Sequence, residues 1–475
     1  MMGRMKSQAT SQTTSQATSQ AKVSPPAGPA LAEFYREHLV RVILPFWLDR
    51  TLDQERGGLF NCVDDSSGKR VSDDKFVWSQ ARWAWTAAHA ARMADRGLLE
   101  VDAERLRAHA KLTADFLLEH AFLDNGNVAY LLSAAGEKKE FLPGKGHDIS
   151  FFADCFVTLA LTGVARATEE RHYLERALEV YRGVRRRVAS GSVRSEPYPL
   201  PAGARAHAWP MIMLNVAQEL ERALKAFTDD RAKELATDAL RYMDEVLDSF
   251  VRDDGLVSEV IVPGDRSSLL ATHITPGHAI ESMWFVIEQA LTHGRRDAVV
   301  KAVEVIKASF TAGWDSEHGG IFRYLVPGDV VPPGAGGGGT DGRQPQGPAT
   351  GPFEELILET WDGKIWWPHS ETLYAALIAS EALAANGGGA GDGSEHAASV
   401  AELTDIHDRL FAYAFDTFPN PDSGVGEWIH VRDREGRPLN KVMGLPVKDP
   451  YHLIRNLLLV IELLDEGLAA RTVDA

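Results

Sequence analysis

The sequence predicts an all-α protein, an (α/α)6 barrel with short β-hairpins at one end. Two observations lead to this fold class. Helical segments with apolar residues at three- and four-residue spacing recur from residue 30 to residue 467. Short extended pieces that follow glycine turns lie between these segments and lead into helices. Helix pairs with strands gathered at one end favour a closed double ring, although an open α-solenoid is the alternative.

Each element follows from its local pattern. Twelve segments have helical periodicity and form six helix pairs: 30–49, 76–97, 102–121, 148–167, 170–189, 207–227, 230–250, 276–294, 296–312, 365–386, 397–417 and 450–467. Five segments combine glycine with alternating or β-branched residues, as hairpin strands do: Gly57–Asp65, Gly126–Leu132, Gly255–Val262, Gly319–Val326 and Gly426–Asp433. Because the repeat continues throughout, we expect one barrel domain over residues 29–475.

Two segments fall outside this pattern. Residues 1–28 form a polar, low-complexity run of Ser, Thr, Gln and Ala, which predicts a disordered tail. Residues 327–352 are rich in glycine and proline, so we interpret them as a flexible loop inserted in one repeat. The helical repeat resumes after this loop, which therefore does not mark a domain boundary.

The amino-acid composition indicates which kinds of binding partner this protein is expected to lack. The chain has 475 residues, of which 44% are hydrophobic and 25% charged, as in ordinary soluble proteins. A net charge of −17 repels phosphate backbones and anionic lipids, so we expect neither nucleic acid nor a membrane as partner. No stretch approaches the roughly 18 apolar residues of a membrane span. The two cysteines suggest no disulfide framework, and the expectation is a reducing, cytoplasmic location.

Four of the predicted helices carry polar and aromatic residues on one face of their first turns. Spacings of three, four and seven residues bring each set to one side of its helix. The sets are Trp78, Arg82 and Trp85; His278, Glu281 and Phe285; Trp367, Glu371 and Tyr374; and His452 with Arg455.

Taken singly, each of these residues has an ordinary structural explanation. Tryptophans at helical spacing are usually core residues, and a lone histidine at a helix start is more often structural than catalytic. Together, however, four helices present charged and aromatic side chains where a helical core favours leucine, and buried charges need partners. Aromatic faces cover the apolar side of a sugar ring, while Arg, Glu and Gln bind its hydroxyls, so the pattern favours a sugar pocket.

Other classes of site have weaker support. His278 and Glu281 form an H-x-x-E pair, but no second ligand pair has matching spacing, so no metal site is predicted. The segment Pro143–Asp148 lacks the G-x-x-x-x-G-K-[ST] pattern of a phosphate-binding loop. No G-x-S-x-G nucleophile elbow occurs in the sequence.

Several motifs resemble those of the N-acylglucosamine 2-epimerase family. The run RTLDQERGGLFNCVDDSSGKRVSDDKFVWSQARWAW resembles the family's Asp-x-x-x-Gly-Gly-Phe-Phe hairpin and its K-x-V-W-x-Q-x-R-x-x-W helix. The likeness continues in order through WPMIMLNVAQEL, TPGHAIESMWF, GGIFRYL, KIWWPHSETLYAAL, GEWIHVRDREG and YHLIR, and so covers residues 30–467. The same superfamily includes cellobiose epimerases and aldose–ketose isomerases.

The resemblance implies an (α/α)6 barrel with a sugar site at the hairpin end. It also implies roles for individual residues. His278 in P-G-H-A-x-E and His452 in Y-H-x-x-R would be the catalytic histidines, Arg82 would hold the substrate carbonyl oxygen, and Glu281 would orient His278. The expected substrate-binding residues are Trp78, Gln80, Trp367, Glu371, Lys448 and Arg455.

These residue types suit epimerisation at C2 of a ring-opened sugar. Opening to the aldehyde acidifies the C2 proton, and histidine, with an ordinary pKa of about 6.5, can take and return it. Inversion needs one base on each face of the planar enediolate, hence two histidines on different helices. The expected reaction interconverts N-acyl-D-glucosamine and N-acyl-D-mannosamine and requires no cofactor. The resemblance leaves open a nucleotide effector such as ATP, and suggests a homodimer.

Three alternatives stay open. An aldose–ketose isomerase of the mannose–fructose type would move the proton from C2 to C1 with one base. A glycoside hydrolase would need two carboxylates about 5–10 Å apart, for which Glu281 and Glu371 are candidates. The third alternative is a protein-binding role without catalysis.

The sequence also departs from relatives at two places near the predicted site. The isomerases and cellobiose epimerases look as though they carry an additional histidine in the helix equivalent to residues 209–220. This chain has Asn215 there, as N-acylglucosamine epimerases do, although His207 lies just upstream. Before the second histidine, Asp449 and Pro450 replace a Gly-x pair.

Overall fold

The structure, a computed structural model, describes residues 23–327, 344–345, 347–386, 393–439 and 447–469. Most of the predicted tail and most of the predicted insertion lie outside these ranges, so both stay predictions. Within the ranges the chain forms the helices α1 (Pro29–His38), α2 (Leu44–Arg50), α3 (Val77–Asp95), α4 (Ala103–His120), α5 (Phe151–Thr168), α6 (Arg171–Ala189), α7 (Ala208–Ala226), α8 (Ala232–Glu245), α9 (Leu269–Thr272), α10 (Pro276–Thr292), α11 (Arg296–Gly313), α12 (Pro352–Thr360), α13 (Trp366–Asn386), α14 (Gly393–Thr417) and α15 (His452–Glu466).

These helices form two concentric rings. The inner ring consists of α3, α5, α7, α10, α13 and α15, which contact one another in this order, and α15 returns to contact α3. Each inner helix packs against an outer partner, which is α4, α6, α8, α11 or α14 for the first five and α1 for α15. The predicted (α/α)6 barrel is therefore confirmed.

The apolar patterns of the helices explain which ring each one joins. Outer helix α6 buries one stripe at helical spacing, from Tyr173 and Leu174 through Ala177 to Val184, and exposes charged residues on the other side. Inner helix α5 is mostly apolar and buries residues on every side, because it packs against its inner neighbours α3 and α7 and its outer partner α6. By length and composition alone α5 could cross a membrane, which the sequence analysis did not anticipate, but 78% of it is buried inside the fold.

The helix bounds differ from expectation in a few places. The predicted helix 30–49 is divided by a π-helical turn, Leu39–Ile43, and the predicted helix 230–250 ends in a second such turn, Val246–Phe250. The sequence analysis missed two short helices, α9 and α12, because each is too short to show a clear period. Helix α12 begins with Pro352, whose fixed φ suits the first position of a helix.

Among the described residues, nine short strands lie at the end where the inner helices begin. They are β1 (Cys62–Val63), β2 (Arg70–Ser72), β3 (Lys75–Phe76), β4 (Leu131–Leu132), β5 (Lys138–Lys139), β6 (Arg205–Ala206), β7 (Val260–Ile261), β8 (Lys364–Ile365) and β9 (Val431–Arg432). As expected, β1–β2 and β4–β5 are local antiparallel hairpins.

The remaining strand pairs are not local hairpins. The antiparallel pairs β3–β4, β6–β7 and β8–β9 join the strand before one inner helix to the loop that leads to the next inner helix. The sequence analysis predicted short hairpins at this end without assigning partners to these strands, and the structure pairs them between neighbouring units. Their pairing fixes the starts of neighbouring inner helices relative to one another, and those first turns carry the predicted site.

Candidate active site

A cavity of about 610 Å³ opens among the first turns of the inner helices. Its wall contains eight of the ten predicted site residues, and only Gln80 and Glu371 of that set do not line it. The eight are Trp78, Arg82, His278, Glu281, Trp367, Lys448, His452 and Arg455. The structure thus brings together side chains that are up to several hundred residues apart in sequence.

Two matching short hairpins, closed by the antiparallel bridges Leu52–Leu59 and Trp314–Ile321, carry the acids that position the tryptophans of this wall. In the first, the buried Lys75 ammonium bonds Asp53 Oδ2 at 2.7 Å, and Trp78 follows three residues later. In the second, the buried Lys364 bonds Asp315 Oδ2 at 3.1 Å, and Trp367 again follows three residues later. A buried charge needs a partner, so each ion pair fixes the strand directly before an inner helix.

Gln80, on helix α3, bonds the segment around the first hairpin and does not line the cavity. Its Oε1 accepts a hydrogen bond from the backbone N–H of Leu59, and its Nε2 donates to Asn61 Oδ1 at 3.2 Å. Gly58 has a φ of +80°, and a Cβ there would lie 2.4 Å from Gln80 Oε1, so this contact requires glycine. The prediction that Gln80 binds substrate is therefore corrected: it holds the hairpin.

His278 is oriented by Glu259 and not by Glu281, which corrects the predicted role of Glu281. His278 Nδ1 donates to Glu259 Oε1 at 2.8 Å. Burial alone would raise the pKa of Glu259, but the adjacent His278 holds that pKa at about 2. Burial alone would lower the pKa of His278, but the Glu259 carboxylate raises it above its ordinary value. The pair is thus an imidazole with its own counter-charge.

The sequence analysis missed Glu259, although a signal was present. The residue is the one acid in the apolar segment Gly255–Val262, directly before strand β7. It is 4% exposed, so an acidic side chain at this position has to meet a buried partner. Spacing along the chain could not reveal that the partner is His278.

His452 is held by Glu371, which stands behind the cavity. His452 Nδ1 donates to Glu371 Oε1 at 2.8 Å, and the same oxygen accepts from Arg455 at 2.5 Å and from Asn456 at 2.7 Å. Trp284 Nε1 donates to the other oxygen at 2.8 Å. Glu371 is fully buried, so the prediction that it binds substrate hydroxyls is corrected: it positions His452.

Arg455 joins two carboxylates beside His452. Its Nη2 lies 2.7 Å from Glu281 Oε1 and 2.5 Å from Glu371 Oε1. Because Glu281 is engaged in this way, it lies 3.8 Å from His452 Nδ1 and makes no direct bond to it. Arg455 lines the cavity and also neutralises the two carboxylates, and its predicted hydroxyl-binding role stays a prediction.

The two imidazoles lie against one indole. The ring centroid of Trp367 is 5.1 Å from that of His278 and 5.6 Å from that of His452. Gly277 permits this approach, because a Cβ there would lie 2.7 Å from Trp367 Cη2. In each histidine Nδ1 is taken by a carboxylate, and Nε2 has no hydrogen bond within the described part of the chain. Two proton-exchanging nitrogens are therefore available to the same cavity.

Arg82 is held by Asp449, one of the two residues that depart from the family pattern. Arg82 Nη1 donates to Asp449 Oδ1 at 2.8 Å, and the guanidinium carbon lies 4.1 Å from the Phe156 ring centroid. Asp449 Oδ2 accepts from the backbone N–H of His452 at 2.8 Å, and so satisfies the first N–H of α15. Burial would raise the pKa of Asp449, but Arg82 holds it at about 2.

Lys448 lines the cavity, but its ammonium is fully engaged in the wall. It donates to Asp65, lies 2.7 Å from Glu427 Oε2 and donates to the Trp428 carbonyl at 2.6 Å. Burial lowers the pKa of Lys448, while Asp65 and Glu427 raise it, and the net change is upward. The predicted contact of this ammonium with substrate gives way to a structural role.

His452 and two carboxylates form a cluster of three potential metal ligands. The ligand atoms of Glu281, Glu371 and His452 lie within 4.8 Å of one another. Arg455 already bonds both carboxylates and supplies the positive charge that they need. The chemistry of this donor set therefore suits an arginine clamp, and the prediction of no metal stays a prediction.

The sequence left open whether the helix around residues 209–220 presents a histidine or an asparagine to the site, and the positions of His207 and Asn215 decide between them. His207 is fully buried, its Nε2 lies 3.1 Å from Ser282 Oγ, and it does not line the cavity. Asn215 does line the cavity. The polar residue that α7 contributes to the cavity wall is thus Asn215, and His207 is a buried residue that does not reach the wall.

Convergent aromatic rings, two carboxylate-held imidazoles and an arginine at the mouth of an (α/α)6 barrel define an enzyme site for carbohydrates. The sequence profile described as N-acylglucosamine 2-epimerase (GlcNAc 2-epimerase) matches residues 58–333 of this chain. The chain therefore belongs to the N-acylglucosamine 2-epimerase family and is a carbohydrate epimerase, as the resemblance in its motifs implied.

Individual relatives agree. N-acylglucosamine 2-epimerase of Rattus norvegicus is 27% identical over 442 residues, which cover 89% of this chain and 89% of the relative. The Bos taurus protein of the same name is 28% identical and covers 90% of each chain. The solved structure of cellobiose 2-epimerase from Bacillus thermoamylovorans has a TM-score of 0.66 at 16% identity, covering 91% of this chain and 99% of its own. At that identity the structural likeness shows the fold alone.

Proposed function

We propose that this protein interconverts N-acyl-D-glucosamine and N-acyl-D-mannosamine by proton transfer at C2 of the ring-opened sugar. One observation carries the proposal. His278 and His452 come from different inner helices, line one cavity and contact the same Trp367 ring. Two bases at one carbon are what inversion at C2 requires.

The site supplies a group for each charge that develops. One imidazole takes the C2 proton from one face, and the other returns a proton to the opposite face. Arg82, held by Asp449, would stabilise the enediolate oxygen, an electrostatic effect of about 3 kcal/mol in a water-poor site. Glu259 and Glu371 fix the tautomers of His278 and His452, so that Nε2 is the reacting nitrogen of each.

The alternative functions have less support from these contacts. The aldose–ketose isomerase alternative relies on an additional histidine on α7, and His207 does not line the cavity. A glycoside hydrolase needs two carboxylates with a sugar between them, whereas Glu281 and Glu371 bond the same guanidinium nitrogen of Arg455. A non-catalytic role leaves the two carboxylate-held imidazoles without a purpose.

Incubation in heavy water tests the proposal. The protein is given N-acetylglucosamine, mannose and cellobiose separately, and the products are identified by NMR. We expect N-acetylmannosamine that carries deuterium at C2. Fructose formed from mannose, without any reaction of N-acetylglucosamine, would instead identify an aldose–ketose isomerase.

A further inference from the structure

The cavity has one apolar side, which is built by α5 and α7. The residues that these two helices contribute carry no charge and are mostly large and apolar: Phe152, Phe156, Ala208, Trp209, Met211, Ile212 and Asn215. The charged residues of the site, including both catalytic histidines, come from α3, α10, α15 and the loops. Trp78 and Trp367 already provide aromatic faces for the apolar side of a sugar ring, so this wall is available to a further apolar group of the substrate.

Asn215 is the exception on this wall. It is 4% exposed, it lines the cavity, and its Oδ1 has no hydrogen-bond partner among the described residues. Residues 208, 211, 212 and 215 share one face of α7, so the carboxamide and the apolar side chains face the same space. A buried polar atom without a partner is costly, and because Asn215 also lines the cavity, a ligand group that reaches its carboxamide would satisfy it.

We propose that this wall is the subsite for the N-acyl substituent, with Asn215 as the residue that selects it. This inference rests on the proposed function, and it names the residues that bind the N-acyl group. A carboxamide both donates and accepts, so it can satisfy the N–H and the carbonyl of an acylamino group, while the alkyl part packs against Phe156, Met211 and Ile212. A hydroxyl at C2 satisfies one atom of Asn215 and leaves the apolar wall uncovered.

Binding of two unreactive polyols tests the subsite separately from catalysis. These polyols, 2-acetamido-2-deoxy-D-glucitol and D-glucitol, are open-chain, differ in the acetamido group and have no carbonyl. We expect the full-length protein to bind the acetamido compound at least about tenfold more tightly, the value of one hydrogen bond with methyl burial. In Asn215→Leu this preference should fall to within about threefold, measured by calorimetry.

A matched control lies one turn further along α7. Gln218→Leu removes the same functional group from a buried residue that does not line the cavity and whose Nε2 bonds the Phe285 carbonyl at 2.6 Å. Gln218→Leu should therefore keep the preference for the acetamido compound. If Asn215→Leu also keeps it, or if the unchanged protein shows no preference, the subsite is overturned.

A second variant covers the case in which Asn215→Leu does not fold. Met211→Phe adds bulk to the apolar wall and should weaken binding of the N-butanoyl polyol at least about tenfold, with less effect on the N-acetyl polyol. Equal effects on both would contradict the subsite. The two proposals can fail separately: epimerisation of N-acetylglucosamine without any acetamido preference in binding would refute the subsite and leave the proposed function standing.

Discussion

His278 and His452, the two histidines proposed to be catalytic, have the same chemistry but different surroundings. His278 has a 30% exposed side chain and one dedicated carboxylate, Glu259, which comes from the strand region outside the inner ring. His452 has a 10% exposed side chain, and its carboxylate, Glu371, comes from the neighbouring inner helix. That carboxylate also bonds Arg455, Asn456 and Trp284.

The difference separates two functions of a carboxylate behind a histidine. Glu259 sets the charge and tautomer of His278, and its other oxygen lies 3.9 Å from His207 Nδ1. Glu371 does the same for His452, and it also ties α13 to α10 and α15 through a buried ionic cluster. We therefore expect the two histidines to matter equally for turnover, whereas their carboxylates should differ in what they do for stability.

The largest expected effect is on turnover. His278→Asn and His452→Asn should each lower epimerisation of N-acetylglucosamine by at least about 10², because each removes a general acid–base group. The fold should survive, which circular dichroism would check. Full activity in either folded variant would show that this histidine is not a catalytic base.

The next effect separates the carboxylates by stability. Glu371→Gln leaves Arg455 buried with a reduced counter-charge and should lower the free energy of unfolding by about 3 kcal/mol. Glu259→Gln disturbs the His278 pair and a longer contact to His207 Nδ1 at 3.9 Å, and should cost about 1 kcal/mol. Urea unfolding of the two matched variants measures both values, and equal losses would contradict the contrast drawn between the two sites.

The smallest effect concerns pH. Glu259 raises the pKa of His278, so Glu259→Gln should lower that pKa. The limb of the pH–rate profile that reports His278 should then move to lower pH, whether His278 acts as acid or as base. Glu371→Gln should leave this limb in place. A shift to higher pH in Glu259→Gln would refute the pairing.

Much of the fold follows from local pattern, since a helix shows its period in sequence. The bounds of α4 and α13 lie within a residue of the predicted 102–121 and 365–386. The strand pairs β3–β4, β6–β7 and β8–β9 were not predicted, because pairing between loops of neighbouring repeats leaves no short-range signal.

The candidate site likewise has a part that the sequence predicts and a part that it does not. Helical spacing and motif resemblance placed His278, Arg82 and His452 on one rim, because side chains in a first turn project in one direction. They assigned the wrong partner to His278, since Glu259 lies 19 residues away on a different element. A role that depends on which distant carboxylate reaches an imidazole is decided by packing, and packing is visible only in the structure.

The most direct measurement of the central claim is deuterium exchange at C2 by the two histidine variants, starting from each epimer separately. One base suffices to exchange a proton, whereas inversion needs both. We predict that each variant exchanges the C2 proton of one epimer without inverting it, and that His278→Asn and His452→Asn act on opposite epimers. Exchange of the same epimer by both variants, or inversion by either one, would contradict the assignment of one histidine to each face.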